Sequence, residues 1–270
     1  MNQTFNIHRF TLMLRIDWAD KGKNYLLMAG VLISCLLILM VPVALSDEYG
    51  NFREVLHYFA LIMVLLLGGS LYTSNAFSQY SASDTGIAAT MLPASGVEKF
   101  LSSLLINLLF VISFLVFFWQ FHYWIIDIAN KNLPASSDKY RYIPEDFMLY
   151  STYSYFGIQS AVFLGSVYFR KSAYIKTAAV FIGFACILTL INLMFATRLA
   201  SNPSKIVAFP LTGWKLWYYS KDGMSQPEYV AGFYHLTFPP EMFTALQIFS
   251  VFIALMLWTC AYFQMKEREI

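Results

Sequence analysis

The 270-residue chain is too apolar for a soluble domain: 58% of its residues are hydrophobic and 13% are charged, against about 45–50% and about 25% in a typical soluble domain. Its net charge of +2 gives no indication of nucleic acid as a partner. The composition therefore favours an integral membrane protein with the lipid bilayer as its surroundings.

The first predicted element is an amphipathic helix over residues 4–20. Apolar residues recur at helical spacing and form one stripe: Ile7, Phe10, Leu14 and Trp18. A helix with such a stripe and polar residues elsewhere can lie in the membrane surface. We interpret it as an N-terminal interfacial helix, and a plain cytoplasmic extension of the first span is the alternative.

Six apolar stretches follow, and each is long enough for the roughly 20 residues that a helix needs to cross a bilayer. They cover residues 25–45, 55–75, 100–126, 147–169, 177–197 and 243–263. The fourth is the least apolar, because tyrosine, serine and glutamine interrupt it. Gly68 and Gly69 in the second span predict a close approach between helices. The prediction is an all-α, polytopic membrane protein with a single transmembrane domain over residues 1–270.

Basic residues predict how the spans are oriented, because Lys and Arg favour the cytoplasmic side. They cluster before the first span, in the short link between the fourth and fifth spans, and after the sixth. With six spans, all three clusters fall on one side of the membrane. We therefore expect both termini, the 76–99 loop and the 170–176 loop to be cytoplasmic.

The predicted cytoplasmic loop between the second and third spans carries a turn and a helix start. The loop has room for one short helix between Ser78 and Met91, and Pro93 then interrupts the chain. Ser95 and Glu98 have capping-box spacing, in which each side chain accepts a hydrogen bond from the other residue's backbone. A capped re-entry into the membrane accounts for Ser95 and Glu98, but not for the compact segment before them.

The predicted outside segment between the fifth and sixth spans, residues 198–242, is rich in tryptophan, tyrosine, phenylalanine and proline. Trp and Tyr favour the boundary between membrane and water. Two interpretations stay open: a folded cap with its own small aromatic core, or a segment that lies on or dips into the outer leaflet.

Motifs for catalysis and nucleotide binding are absent from the sequence: it contains no G-x-x-x-x-G-K-[ST], no H-E-x-x-H and no G-x-S-x-G. We therefore expect the chain not to be an enzyme, not to bind ATP itself, and to hold no cofactor or metal. The histidines fall in different segments without ligand spacing and are interpreted as ordinary interfacial residues: His8, His57, His122 and His235.

The centres of the predicted spans contain no Asp, Glu, Lys or Arg, which argues against an ion-driven carrier. Neutral polar side chains do occur within the spans: Asn107, Gln120, Gln159, Asn192 and Gln247. They either form hydrogen bonds between helices or line a pathway for an amphiphilic substrate.

This layout resembles the permease subunit of type-2, exporter-like (ABC-2) ABC transporters. The interfacial helix, the six spans, the compact cytoplasmic loop and the elaborated outside segment are similar over the whole chain. The stretch MLPASGVEKFLSSLL, residues 91–105, looks like an LP-x-S-x-x-EKF segment of such permeases from Bacteroidetes-type bacteria. The loop over residues 127–146 is longer and more charged than the family leads us to expect.

The resemblance implies an ATP-driven exporter in a bacterial cytoplasmic (inner) membrane. Two permease subunits, as a homodimer or a heterodimer, would form the pathway, and separate cytoplasmic ABC ATPase subunits would bind beneath them. Residues 76–92 would be the coupling helix that enters a groove of the ATPase. The residues expected to carry this coupling are Asp84, Met91, Leu92, Pro93 and Glu98.

Two other functions stay open on the residues alone. A non-transport membrane scaffold, or an assembly subunit of a bacterial envelope complex, would bind its partner through the outside segments. A membrane-embedded enzyme would need a catalytic constellation, and the sequence displays none.

Overall fold

The computed structural model describes residues 5–77, 93–169, 172–200, 204–208, 214–219, 230–236 and 240–268. Within these ranges the helices are α1 (Ile7–Ala44), α2 (Asn51–Leu67), α3 (Ser70–Thr73), α4 (Gly96–Asn132), α5 (Glu145–Tyr168), α6 (Ala173–Leu199) and α7 (Pro240–Arg268). The strands are β1 (Lys205–Ala208), β2 (Trp214–Tyr219) and β3 (Val230–Leu236). The chain divides into two compact units: residues 1–176 with 253–270, and residues 177–252.

Five helices in the described part of the chain are long and apolar enough to cross a membrane. They are Ile7–Ala44, Asn51–Thr73, Gly96–Asn132, Ala173–Leu199 and Thr244–Glu267. α5, predicted as the fourth span, is helical over 24 residues but is not one of these five, because its tyrosines and serines lower its hydropathy. A mostly helical, polytopic membrane protein agrees with the prediction, and the sixth crossing stays a prediction.

α1 is one continuous helix of 38 residues. At a rise of 1.5 Å per residue it is about 57 Å long, roughly twice the hydrocarbon thickness of a bilayer. Its start is capped by Asn6, whose Oδ1 accepts a hydrogen bond from the His8 N–H at 2.9 Å. The structure thus differs from the separate interfacial helix predicted over 4–20: no proline lies between that segment and the first span, and the helix continues directly into the span, with Pro42 near its end.

The second predicted span is broken at Gly68 and Gly69, which separate α2 from α3. Gly69 has a φ of +87°, a backbone conformation that glycine adopts without strain. A Cβ on Gly68 would lie 2.6 Å from the Phe114 ring, and one on Gly69 would lie 2.9 Å from Tyr155 Oη. The close helix approach predicted from the two glycines is confirmed, whereas the break in the helix was not predicted.

The main apolar core of the first unit forms where α1, α2, α4 and α5 pack together. Its fully buried side chains include Leu36, Met40, Val64, Val111, Phe118 and Tyr155. Because each of these helices contributes side chains to one core, they form a single packed group.

A second apolar cluster lies around Phe77 and Phe100. The ring centroid of Phe77 is 5.0 Å from that of Phe163 on α5 and 6.2 Å from that of Phe100. Ala261 and Met265 of α7 complete the buried cluster. The residues on either side of positions 78–92 are therefore packed against α5 and α7.

The second unit contains an antiparallel sheet in the order β1-β2-β3. Its strands are rich in β-branched and aromatic residues, which favour extended structure, and Leu216 of β2 is buried. Asn192 of α6 donates to the Ala208 carbonyl at 3.0 Å and accepts from Trp214 Nε1 at 3.3 Å. The sheet departs from the all-α prediction, and it fits the folded interpretation of residues 198–242 better than the leaflet interpretation.

Candidate functional site

The start of α4 is fixed by a capping box. The Ser95 hydroxyl accepts from the Glu98 N–H at 3.3 Å, and Glu98 Oε2 accepts from the Ser95 N–H at 2.8 Å. Both bonds satisfy backbone donors that the first turn of a helix leaves without partners. The capping box predicted from the spacing of these two residues is confirmed.

The second oxygen of Glu98 binds the start of α1. Glu98 Oε1 accepts from the Asn6 N–H at 2.6 Å and from Arg9 Nη2 at 3.1 Å. Glu98 is fully buried, whereas about a third of the Arg9 side chain is exposed. One buried carboxylate therefore holds together two helix starts that are about 90 residues apart in the sequence.

Glu98 is held in its ionised form by these contacts. Desolvation by burial acts to raise its pKa, but the hydrogen bonds from the backbone of Ser95 and Asn6, and the contact with Arg9, together lower the pKa below its ordinary value. Glu98 precedes the apolar stretch of α4, which begins at Phe100.

We call residues 78–92 the linker segment. A second set of polar contacts joins α1 to the chain just before this segment. The Lys21 ammonium donates to the Ala76 carbonyl at 3.1 Å and lies 3.9 Å from Asp17 Oδ1. Asp17 is buried, and its Oδ2 accepts from the Ser102 hydroxyl of α4 at 3.1 Å. Desolvation lowers the pKa of Lys21, and the neighbouring carboxylates partly oppose that shift.

The N-terminal half of α1 therefore contacts the chain on both sides of the linker segment. Lys21 holds Ala76 on the side that precedes it, and Arg9 holds Glu98 on the side that follows it. The cluster around Phe77 and Phe100 adds contacts to α5 and α7. The described chain on either side of the linker segment is thus in contact with α1, α5 and α7. We call this set of residues the junction.

Some of the predicted coupling residues belong to the part of the chain that the structure describes, and the others do not. Asp84, Met91 and Leu92 lie outside the described residues. Pro93 is exposed in a bend before the cap, and Glu98 is buried within the junction. Sequence reasoning missed Asn6, Arg9, Asp17 and Lys21, because their partners on α4 and beside α3 are far away in the chain.

Two of the predicted span residues meet at the break between α2 and α3. The Thr73 hydroxyl lies 2.8 Å from Asn107 Oδ1 and 2.8 Å from Gln159 Oε1, and its one proton serves one acceptor at a time. Gln159 Nε2 donates to the Gly68 carbonyl at 3.0 Å and is within 3.0 Å of Ser70 Oγ. This buried network satisfies a carbonyl that the helix break leaves without an intrahelical donor.

The other three predicted residues are not part of that network. Gln120 is exposed on α4. Asn192 binds the sheet of the second unit, and Gln247 is half-buried on α7. The contacts of Asn107, Gln159 and Asn192 are hydrogen bonds between elements, the first of the two uses predicted from the sequence.

The chemistry of the junction is that of buried charges and hydrogen bonds. Arg9 and Lys21 supply two cations, and Asp17 and Glu98 supply two carboxylates. In the described residues no group of three or more His, Cys, Asp or Glu side chains could hold a metal ion. No protein-family model, curated protein or solved structure matches this chain, so the junction is interpreted from its own residues.

Proposed function

We propose that the chain is the permease subunit of an ATP-driven exporter and couples to a separate cytoplasmic ABC ATPase through the linker segment. The observation that carries the proposal is the junction, in which Lys21 and Arg9 of α1 bind Ala76 and Glu98, the residues on either side of the linker segment. A force applied to the linker segment would reach four helices through these contacts. The resemblance of residues 91–105 to exporter permeases supports the same assignment.

The proposal includes a membrane arrangement. The chain would lie in a bacterial cytoplasmic membrane with six spans and both termini in the cytoplasm. A second permease subunit, either another copy or a related chain, would complete the pathway. The basic residues around the first span and after the last support this orientation.

Site-specific photo-crosslinking in intact cells tests the ATPase contact. A benzoylphenylalanine residue at Asp84 or Met91 should crosslink to a protein that carries a P-loop. The same residue at Ser136, which is exposed between α4 and α5, is the control and should give no such product. Products at Asp84 and Met91 that contain only proteins without a P-loop would rule the proposal out.

The junction has its own test once the crosslinked ATPase is identified. Adding ATP to the complex should change hydrogen exchange in α5 and α7 of the wild-type chain. Replacing Lys21 by Met removes the donor to Ala76, so this exchange response should shrink while the crosslink at Asp84 persists. A response equal to that of the wild type would mean that the junction does not transmit movement.

The alternative function, a non-transport scaffold, is favoured by one feature of the second unit. An open apolar pocket of about 320 Å³ is lined by residues of α6 and the sheet, including Leu199, Trp214 and Tyr234. Deleting residues 205–235 should abolish partner binding if the chain is a scaffold. The ATPase crosslink at Asp84 should survive that deletion if the chain is a permease.

A further inference from the structure

The pocket of about 320 Å³ in the second unit lies between the end of α6 and one face of the sheet. Successive side chains of a strand point to opposite faces, and the pairing of β2 with β3 brings alternate residues of both strands to the same face. The sheet residues that line the pocket are Trp214, Leu216, Tyr218, Tyr234 and Leu236. Leucine and aromatic side chains therefore form most of its wall.

The polar groups of two lining side chains are already bound within the unit. Trp214 Nε1 donates to Asn192 Oδ1 at 3.3 Å, and the Tyr218 hydroxyl donates to the Ala200 carbonyl. These bonds fasten β2 to α6 and to the residue that follows α6. They also take up the donors of both side chains, so the lining favours an apolar ligand over a polar one.

The pocket lies at the end of a helix that is long and apolar enough to cross a membrane. α6 has 27 residues and is about 40 Å long, which exceeds the roughly 30 Å hydrocarbon core of a bilayer. We therefore expect its last turn near the boundary between hydrocarbon and headgroups. Arg198 is exposed in that turn, which agrees with this level, because arginine near the end of a span extends its charge to the interface.

We propose that the pocket holds one acyl chain of a phospholipid from the surrounding bilayer. The exposed apolar surface of α6 is continuous with the pocket: Phe195 is 61% exposed, and Leu199, one turn later, is 72% exposed and belongs to the lining. An acyl chain can therefore pass from the bilayer into the pocket along α6 without crossing water. Arg198, next to Leu199, supplies a positive charge for the phosphate of the same lipid. The proposal does not depend on the ATPase contact.

The size of the pocket favours an acyl chain over a protein partner. A volume of 320 Å³ accommodates roughly ten methylene groups, at ~30 Å³ for a group of the size of a water molecule. A specific protein interface involves about 20–30 residues on each side, whereas this pocket has room for only a few side-chain groups. We therefore assign the pocket to lipid rather than to the partner of a scaffold.

Quenching by brominated lipid tests the position of the acyl chain. The purified full chain is reconstituted into vesicles of a phosphatidylcholine that carries bromine near the end of one acyl chain. In an undisturbed bilayer these bromines lie about 15 Å from the headgroup boundary, at the bilayer centre. A protein with Trp214 as its single tryptophan should nevertheless lose most of its fluorescence, relative to vesicles without bromine.

Trp217 is the matched control for Trp214. It lies on the same strand but on the opposite face of the sheet, where the Lys205 ammonium is 5.2 Å from the centre of its ring. A protein with Trp217 as its single tryptophan should lose little fluorescence in the same vesicles. Equal losses at the two positions, or no loss at Trp214, overturn the proposal, and the second result leaves the pocket to a protein partner.

A variant that fills the pocket separates a bound chain from general contact with lipid. Ala200→Phe places a ring in the pocket, so the loss at Trp214 should fall to the level seen at Trp217. Ala185→Phe, at an exposed position of α6 outside the lining, should leave the loss at Trp214 unchanged. Native mass spectrometry of the chain with all its tryptophans gives a second readout. One phospholipid should remain on the wild type and on Ala185→Phe but not on Ala200→Phe. Equal retention or equal quenching in the two variants overturns the proposal.

Discussion

At the scale of single residues, Glu98 makes the contacts on which the junction depends. It closes the cap of α4 with one oxygen and binds Asn6 and Arg9 with the other. The cap was predictable, because Ser95 and Glu98 are three positions apart and capping is local chemistry. The bonds to α1 were not predictable, because no local pattern marks a partner about 90 residues away.

The pH dependence of stability should reveal the ionised state of Glu98. Its pKa is lowered in the folded protein, so its charge stabilises the fold above the ordinary carboxyl value, and this contribution is lost as pH falls through the folded value. The wild type should melt at a higher temperature than Glu98→Gln at neutral pH. Scanning fluorimetry in detergent should show the difference shrinking below about pH 4.5.

Glu145→Gln is the matched control for that experiment. Glu145 also lies in the first turn of a helix, but it is exposed, so its charge is screened by water. We expect a much smaller difference in melting temperature between the wild type and Glu145→Gln. Equal effects in the two variants would mean that Glu98 acts only as a negative charge near a helix start.

At the scale of the elements, the sequence predicted the apolar helices and missed how some of them begin, break or continue. The stripe in residues 4–20 correctly indicated a helix. That helix extends to Ala44 because nothing breaks it before the first span. The strands between α6 and α7 were missed because tyrosine and tryptophan suit both a membrane surface and a sheet. Only the pairing of β1 with β2 and of β2 with β3 distinguishes the two.

The break between α2 and α3 should be sensitive to a single methyl group. Gly69→Ala forces a left-handed conformation on alanine, which costs about 1–2 kcal/mol, and places the methyl carbon 2.9 Å from Tyr155 Oη. We expect a clearly lower melting temperature in detergent. Gly157→Ala on α5 is the control, because its methyl group meets no atom within 4 Å. It should leave the melting temperature unchanged or raise it slightly.

At the scale of the whole molecule, the number of crossings determines where the C-terminus lies. If α5 crosses the membrane, the chain has six spans and its two termini share a side. If α5 does not cross, five spans place the termini on opposite sides. The five apolar helices alone do not distinguish these arrangements, because α5 is helical but less apolar than the others.

Cysteine labelling in right-side-out and inverted vesicles decides between five and six spans. The three native cysteines, Cys35, Cys186 and Cys260, are first replaced by alanine. Single cysteines at Thr4 and at the exposed Glu267 should then both react from the cytoplasmic side. A cysteine at Ser136 should react from the opposite side. Labelling of Glu267→Cys and Thr4→Cys from opposite sides would contradict six spans.

The break at Gly68 also has a consequence for the nascent chain during synthesis. α2 has 17 residues and is about 26 Å long, and the Gly68 carbonyl that follows it receives its side-chain donor from Gln159, 91 residues later. A ribosome that adds about 5–20 residues per second needs roughly 5–18 s to reach that glutamine. During this interval the nascent chain carries an unsatisfied carbonyl in the bilayer. Membrane quality-control proteases should therefore degrade chains that are truncated before α5 faster than chains that include it.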